Sequence, residues 1–273
     1  TTVNGETAMT FGMGNEYPSY FYDRNNNELS LVSNTYSDGL GRMKFNGEIY
    51  TIKERMTVTQ SFWYAFYHKT EFTSFILPDS INVINHGTFS GCSNLNSIVL
   101  PSSNFIGTAS FPYCSSLTGV TIPDTVKYIN FCGCTSLVEV DIPQAATGIT
   151  ENCFSGCSLL TSIELGDNIQ TIGWYAFIDC SGLTEITIPS GVTSLGRGVF
   201  MNTSIMEIFM YPTTAPSVIE TTYSSQSGWR QGTFSGLPKG GKLHYPAGSN
   251  YSSVINAFNS WNTGNNWTFV GDL

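Results

Sequence analysis

One thirteen-residue pattern returns along this chain and leaves few folds open. "FSGCSNLNSIVLP" occupies 89–101, "FPYCSSLTGVTIP" 111–123, "FCGCTSLVEVDIP" 131–143, "FSGCSLLTSIELG" 154–166 and "FIDCSGLTEITIP" 177–189. The Phe anchors run Phe66, Phe89, Phe111, Phe131, Phe154, Phe177, Phe200, with spacings of 23, 22, 20, 23, 23 and 23 residues. Counted from each Phe, apolar residues fall at +6, +9 and +11, and Pro tends to fall at +12. About five residues before the next Phe stands another aliphatic: Ile84, Ile106, Ile149, Ile172, Leu195. A unit of this size cannot bury its apolar side alone, but stacked on copies of itself it can.

Each unit therefore predicts one coil of a solenoid. The alternation in Ser97-Ile98-Val99-Leu100 is that of a strand with one face inward. Proline cannot donate to a ladder, so the strand ends at +12. One short strand per coil is expected, stacked into a parallel sheet, with irregular turns opposite. A unit this short leaves no room for a full crossover helix.

Two places depart from the period. Three residues are missing between Ile129 and Phe131. The seventh unit, "MNTSIMEIFMYP", lacks the Cys, and its shortened bend aligns Ile205 with Leu183 and Glu207 with Glu185. The gap of 34 residues from Phe200 to Phe234 marks residues 213–232 as an insertion, with "TTYSSQSGWRQG" an exposed loop. Residues 1–45 lie outside the repeat. There "YFYD" and "ELSLV" around "RNNN" read as a hairpin of an N-terminal β cap, which a solenoid end requires. The coils span 46–212, and 233–273 hold the last coil and a closing segment.

The pattern AF-x-x-C-x-x-L-x-x-I-x-(L/I)-P-x-x-V resembles the BspA-type leucine-rich repeats, and "YAFIDCSGLTEITIPSGV" at 175–192 follows it almost position by position. "NGEIYTIKERM" at 46–56 resembles the lead-in of such arrays, and "KLHYPAGSNY" at 242–251, followed by Trp261, resembles their close. The resemblance covers roughly residues 46–267. It implies a right-handed leucine-rich-repeat solenoid, here of seven to eight coils. It also implies a bacterial protein, secreted or on the cell surface, with a role in adhesion or host-protein binding.

Composition narrows the partner. A net charge of −9 argues against nucleic acid, which needs a basic face, and against anionic lipid. No apolar run approaches a membrane span. No signal peptide is visible, and the chain reads as a mature or trimmed one. Its low charged content, 11%, set against abundant Ser, Thr and Asn, fits an exported protein.

Five of the seven cysteines, Cys92, Cys114, Cys134, Cys157 and Cys180, share the +3 position. Stacked equivalents point the same way, so a buried ladder of free thiols is expected. Cys153 takes the small −1 position and is expected to be buried; Cys132 at +1 is expected to be exposed. A zinc site from Cys132, Cys134, Cys153 and Cys157, or a Cys132–Cys153 disulfide, is the competing reading. His68, His86 and His244 lie in no catalytic motif, and no nucleophile elbow, P-loop or dinucleotide fingerprint occurs. A non-enzyme without cofactor is expected.

Candidate binding residues come from the outward strand positions. One row reads Ser74, Ser97, Gly119, Glu139, Ser162, Glu185, Glu207, and the other Ile76, Val99, Thr121, Asp141, Glu164, Thr187, Phe209. Five carboxylates thus fall on four neighbouring coils with no Lys or Arg among them. Solvated polar strand positions account for such a row; so does a docking surface for a basic protein segment or a divalent cation. Trp174-Tyr175, Trp63-Tyr64 and Trp229 are the aromatic candidates, either packed between coils or open to a protein or glycan. The expected function is non-catalytic binding by a monomer, outside the cell or on its surface. The partner is an extracellular protein met through the sheet face and the 213–232 loop. Glycan capture in a surface nutrient system and a structural spacer are the alternatives.

Overall fold

The computed structural model describes residues 89–100, 107–219, 230–261 and 266–273, with strand segments and single residues elsewhere. It is a solenoid whose core is one continuous column. Phe89, Phe111, Phe131, Phe154, Phe177 and Phe200 are fully buried and stack ring on ring, with centroids 5.4–6.1 Å apart. Each coil contributes one ring. The offset geometry favoured by aromatic pairs is thereby repeated along the axis.

Beside the rings runs the expected thiol ladder, and it is more than a row of small hydrophobes. Cys114 Sγ donates to the Phe89 carbonyl at 3.1 Å, Cys134 to Phe111 at 3.1 Å, Cys157 to Phe131 at 3.2 Å and Cys180 to Phe154 at 3.0 Å. Each thiol thus adds a second donor, from the next coil, to a buried carbonyl that already accepts a backbone N–H within its own coil, such as Cys92 N to Phe89 O at 3.2 Å. In the unit without Cys this inter-coil bond is lost, and Thr203 Oγ1 donates within its own coil, to Phe200 O at 2.9 Å.

Two parallel ladders flank this column, where the sequence predicts one. The front ladder is the expected one. Ser74–Ile76 pairs with Ser97–Val99, and Glu185–Ile188 pairs in turn with Glu207–Met210, Lys242–Tyr245 and Thr268–Gly271. Glu185 faces Glu207, as the aligned seventh unit predicts. Between these sections, residues 119–121, 139–141 and 162–164 form no strand. Their inward side chains and single backbone hydrogen bonds between coils, such as Val138 N to Thr118 O at 3.0 Å, hold them instead.

The rear ladder runs through the aliphatic that precedes each Phe. Gly107–Ser110 pairs with Val126–Asn130, and Gly148–Ile149 pairs with Thr171–Ile172 and then Ser194–Leu195. Single aliphatics flanked by Gly, Ser and Thr carry no period-2 run, so this ladder is not visible as alternation. The three-residue deletion is absorbed here: Val126–Asn130 runs directly into Phe131, and its pairing shifts register at Gly107/Thr108.

Gly173 and Gly196 mark where coils approach most closely at this edge. A Cβ on Gly196 would sit 2.5 Å from Gly173 C and Trp174 N, both backbone atoms. Gly196→Ala is therefore expected to cost about 2–3 kcal/mol, read as a lower denaturant midpoint with unchanged slope.

At the N-terminal end the strand segments pair differently from the expected "YFYD"/"ELSLV" hairpin. Ser19–Tyr22 pairs antiparallel with Thr51–Glu54, while Leu31–Ser37 pairs with Leu40–Phe45, which also pairs with Glu6–Ala8. Asp38-Gly39 separates the true hairpin strands. That dipeptide is a stronger hairpin signal than Arg24-Asn25-Asn26-Asn27, because it suits the positive φ of a tight primed turn.

The C-terminal end closes the core. Val254, Ala257 and Phe258 lie on one buried face of the helix Ser252–Trp261, at the i, i+3, i+4 spacing of an apolar stripe. The Phe258 ring stacks on Phe234 at 3.8 Å and meets Trp267 at 5.1 Å. Tyr251 Oη donates to Pro212 O at 2.6 Å and Trp267 Nε1 to Pro238 O at 2.8 Å, so the closing segment is tied back to the coils before it.

Candidate functional site

The front face is built by the alternation itself. Inward Val140, Ile163, Ile186 and Ile208 are buried, which turns Glu139, Asp141, Glu164 and Glu185 outward, where all are exposed. Among the described residues no salt bridge engages these four carboxylates. Glu207 and Phe209 stand apart from them. The expectation that no cation joins the row ends at the next strand, where Lys242 lies opposite Glu207 with Nζ 3.9 Å from Oε1. Opposite Phe209 lies His244, ring on ring at 4.7 Å, and His244 Nδ1 is 3.0 Å from Asp272 Oδ1. Phe209 is half-buried in that stack. The face is thus acidic over its middle coils and mixed at its C-terminal end. "KLHYP" carried the signal, since it repeats the alternation of "IFMYP"; reading it only as a closing segment missed the continuation across the insertion.

Trp174 and Tyr175 sit on a different part of the coil, between the rear ladder and Phe177. Trp174 is 47% exposed, and Arg197 Cζ lies 5.4 Å from its ring centroid, within cation–π range. Tyr175 has φ of 55° and is half-buried, its ring covering Gly198, where a Cβ would come within 2.7 Å of Cε1. Of the pair, Trp174 offers the open face. Trp229, Trp63 and Tyr64 lie outside the described residues. The insertion that carries Trp229 is bounded by an antiparallel ribbon, Thr222–Tyr223 against Arg230–Gln231.

All seven cysteines are free, Cys132 included. Cys153 Sγ donates to Ile129 O at 3.2 Å, so its thiol, like Cys134 and Cys157, is directed at a carbonyl of the preceding coil. Among the described residues no three His, Cys, Asp or Glu side chains converge to hold a metal ion. Burial pushes the Cys134 and Cys180 thiols up to about 12 and raises Cys114, Cys153 and Cys157 further. Such thiols stay protonated and unreactive at neutral pH. Cys132 alone is partly exposed. A thiol-reactive dye is expected to label one cysteine per native chain and seven after unfolding; rapid labelling of two or more native thiols would contradict the buried ladder.

His68 is exposed, His244 is taken up by Phe209 and Asp272, and His86 lies outside the described residues.

Several solved bacterial structures resemble parts of this chain. The solved structure of a leucine rich cell surface protein from Faecalibacterium prausnitzii A2-165 is 23% identical with a TM-score of 0.48, over 64% of this chain and 55% of that one. A leucine-rich repeat protein from Bacteroides ovatus is 19% identical with a TM-score of 0.41, over 80% of this chain and 70% of that one. The T. pallidum leucine rich repeat protein is 19% identical with a TM-score of 0.42, over 73% and 87%. The chain spans about half the length of the first of these. No curated protein matches the sequence. The family model described as the BspA type leucine rich repeat region matches in six copies, over residues 17–130 and 104–227. With its coils stacked as that repeat requires and the match spanning most of its length, the chain belongs to the BspA-type leucine-rich repeat family.

Proposed function

We propose that this protein is a non-catalytic binding module, secreted or displayed on a bacterial cell surface, that docks a basic segment of an extracellular protein on its front face. The observation that carries this reading is the run of exposed carboxylates Glu139, Asp141, Glu164 and Glu185 on successive coils, unpaired among the described residues. Like charges on neighbouring coils oppose one another. A cationic partner relieves that repulsion, and a rigid stack presents the charges at fixed spacing to an extended ligand. Glu207, Phe209 and Lys242 border the patch and set its C-terminal limit. Trp174 and Tyr175, with the 213–232 insertion, supply further contact candidates on another part of the coil.

The test is a binding screen against extracellular-matrix proteins, run beside a variant with Glu139, Asp141, Glu164 and Glu185 changed to Ser. Binding by the native chain is expected to weaken with added salt. The variant is expected to bind about tenfold or more weakly, with a flatter salt dependence. Protein binding that the variant retains in full would move the site to Trp174 or the insertion. No protein binding at all would refute the docking surface.

A further inference from the structure

A second surface, away from the carboxylate row, has the chemistry of a ligand groove. After the front segment the coils of Phe111, Phe131, Phe154 and Phe177 pass through a short turn to the rear ladder. Pro precedes that turn at Pro123, Pro143 and Pro189, and Pro78 and Pro101 take the same place in the sequence. The coil between Pro143 and Pro189 has Gly166 there, and a Cβ on Gly166 would meet nothing within 4 Å. Beside this gap an open groove of about 510 Å³ crosses three coils.

Its rows follow from the stacking. Gln144 and Asp167 line one side, and Thr147, Gln170 and Thr193 line the other. The middle holds Ala145, Asn168 and Gly191, so only the central coil puts a side chain of any length there. Asn168 Nδ2 donates to Gln144 O at 2.9 Å and Thr193 Oγ1 to Gln170 O at 3.2 Å, so these two side chains are held by neighbouring coils. The amides of Gln144 and Gln170 are exposed and make no side-chain hydrogen bond among the described residues. On the preceding coil Tyr128 is 57% exposed, five residues after Pro123, as Gly148 is after Pro143 and Thr171 after Gly166.

Ligand classes fall away in turn. No cation lines the groove itself; the one at its end, Lys127 beside Tyr128, is too little to hold phosphate alone, and the single carboxylate, Asp167, makes no metal site. Ala145 is the only apolar side chain, too little for a hydrophobic ligand. An extended peptide needs an open strand edge, and the rear ladder here is paired from Gly148 to Leu195. A row of amides and hydroxyls, each able to donate and accept, matches vicinal hydroxyl groups. The coil repeat is close to the length of one pyranose unit, and the exposed Tyr128 ring supplies a face for a sugar at the end of the row.

We propose that this groove binds an extended neutral oligosaccharide, laid across the coils along the Gln144–Gln170 amides and the Tyr128 ring. The proposal goes beyond front-face protein binding and does not depend on it.

Calorimetric titration of the whole chain with cellotetraose, xylotetraose, mannotetraose and maltotetraose, each beside its monosaccharide, tests it. At least one tetrasaccharide is expected to bind saturably, with a Kd of about 1 mM or tighter, and more tightly than its sugar unit. Two variants, Gln144→Ala with Gln170→Ala and Gly166→Phe, are expected to weaken that binding about tenfold or more with unchanged melting temperature. The four-carboxylate Ser variant is expected to bind the sugar like the native chain, which separates this site from the front face. No saturable binding by any tetrasaccharide overturns the proposal. Unchanged affinity in the double glutamine variant overturns it too.

Discussion

Raising the pH above about 9 is expected to unfold this protein steeply, well before its backbone chemistry requires it. An unfolded cysteine loses its proton near the ordinary thiol value of 9.0. In the folded chain, loss of contact with water holds Cys134 and Cys180 at about 12, and Cys114, Cys153 and Cys157 higher still. The folded state therefore keeps protons that the unfolded state gives up. Stability is fully present below pH 9 and falls as pH rises toward the folded values. Each thiol contributes a loss of about 1.4 kcal/mol per pH unit in that window. Five acting together reach several kcal/mol within one unit, comparable with the whole stability of a typical domain. Denaturant melts at pH 7, 9 and 10 measure this directly. A Cys114→Ala, Cys157→Ala double variant is expected to start less stable and show a shallower pH slope. A flat profile to pH 10.5 would mean that the thiols are wetter than this packing allows.

The second large effect is expected from Phe154→Ala. Phe154 is fully buried between Phe131 at 5.8 Å and Phe177 at 5.4 Å, with near-parallel rings on both sides. Its removal takes away one ring's burial and leaves both neighbours facing a void. The expected loss is about 3–5 kcal/mol. A repeat stack is held by nearest-neighbour interfaces, so the loss is also expected to split the transition. Residues on the two sides of coil 154 should then exchange amide hydrogens at different rates. Phe154→Leu, which refills most of the volume, is expected to recover more than half of the loss. A deficit under 1 kcal/mol in the Ala variant would show that the ring column is not the main axial contact.

The two expectations differ in how far they were visible before the fold. The Phe column and the thiol ladder were legible because they recur in register: a residue type returning every 20–23 positions in an apolar frame has no other place to go than the interior of a stack. The use of each thiol, donating to the carbonyl one coil back, was not legible, because it depends on a backbone atom that carries no residue identity. The aligned Glu185 and Glu207 were recovered across a shortened bend because strand alternation survives a change of turn length. Lys242 and His244 were missed because an insertion breaks the count, and only the ladder re-establishes it. The N-terminal pairing failed for a similar reason. Ser19–Tyr22 pairs with Thr51–Glu54 across an intervening hairpin, and long-range partners leave no local spacing to read.

By itself, then, the sequence determined the repeat, its inward residues and the outward carboxylates, since periodic hydrophobicity dictates which side of each coil leaves water. The tertiary structure alone decided the second ladder, the glycine contacts at Gly173 and Gly196, the pairing of Glu207 with Lys242 and the polar groove beside Gly166. Each of these depends on how closely one coil approaches the next, and that distance is set by packing between residues more than twenty positions apart.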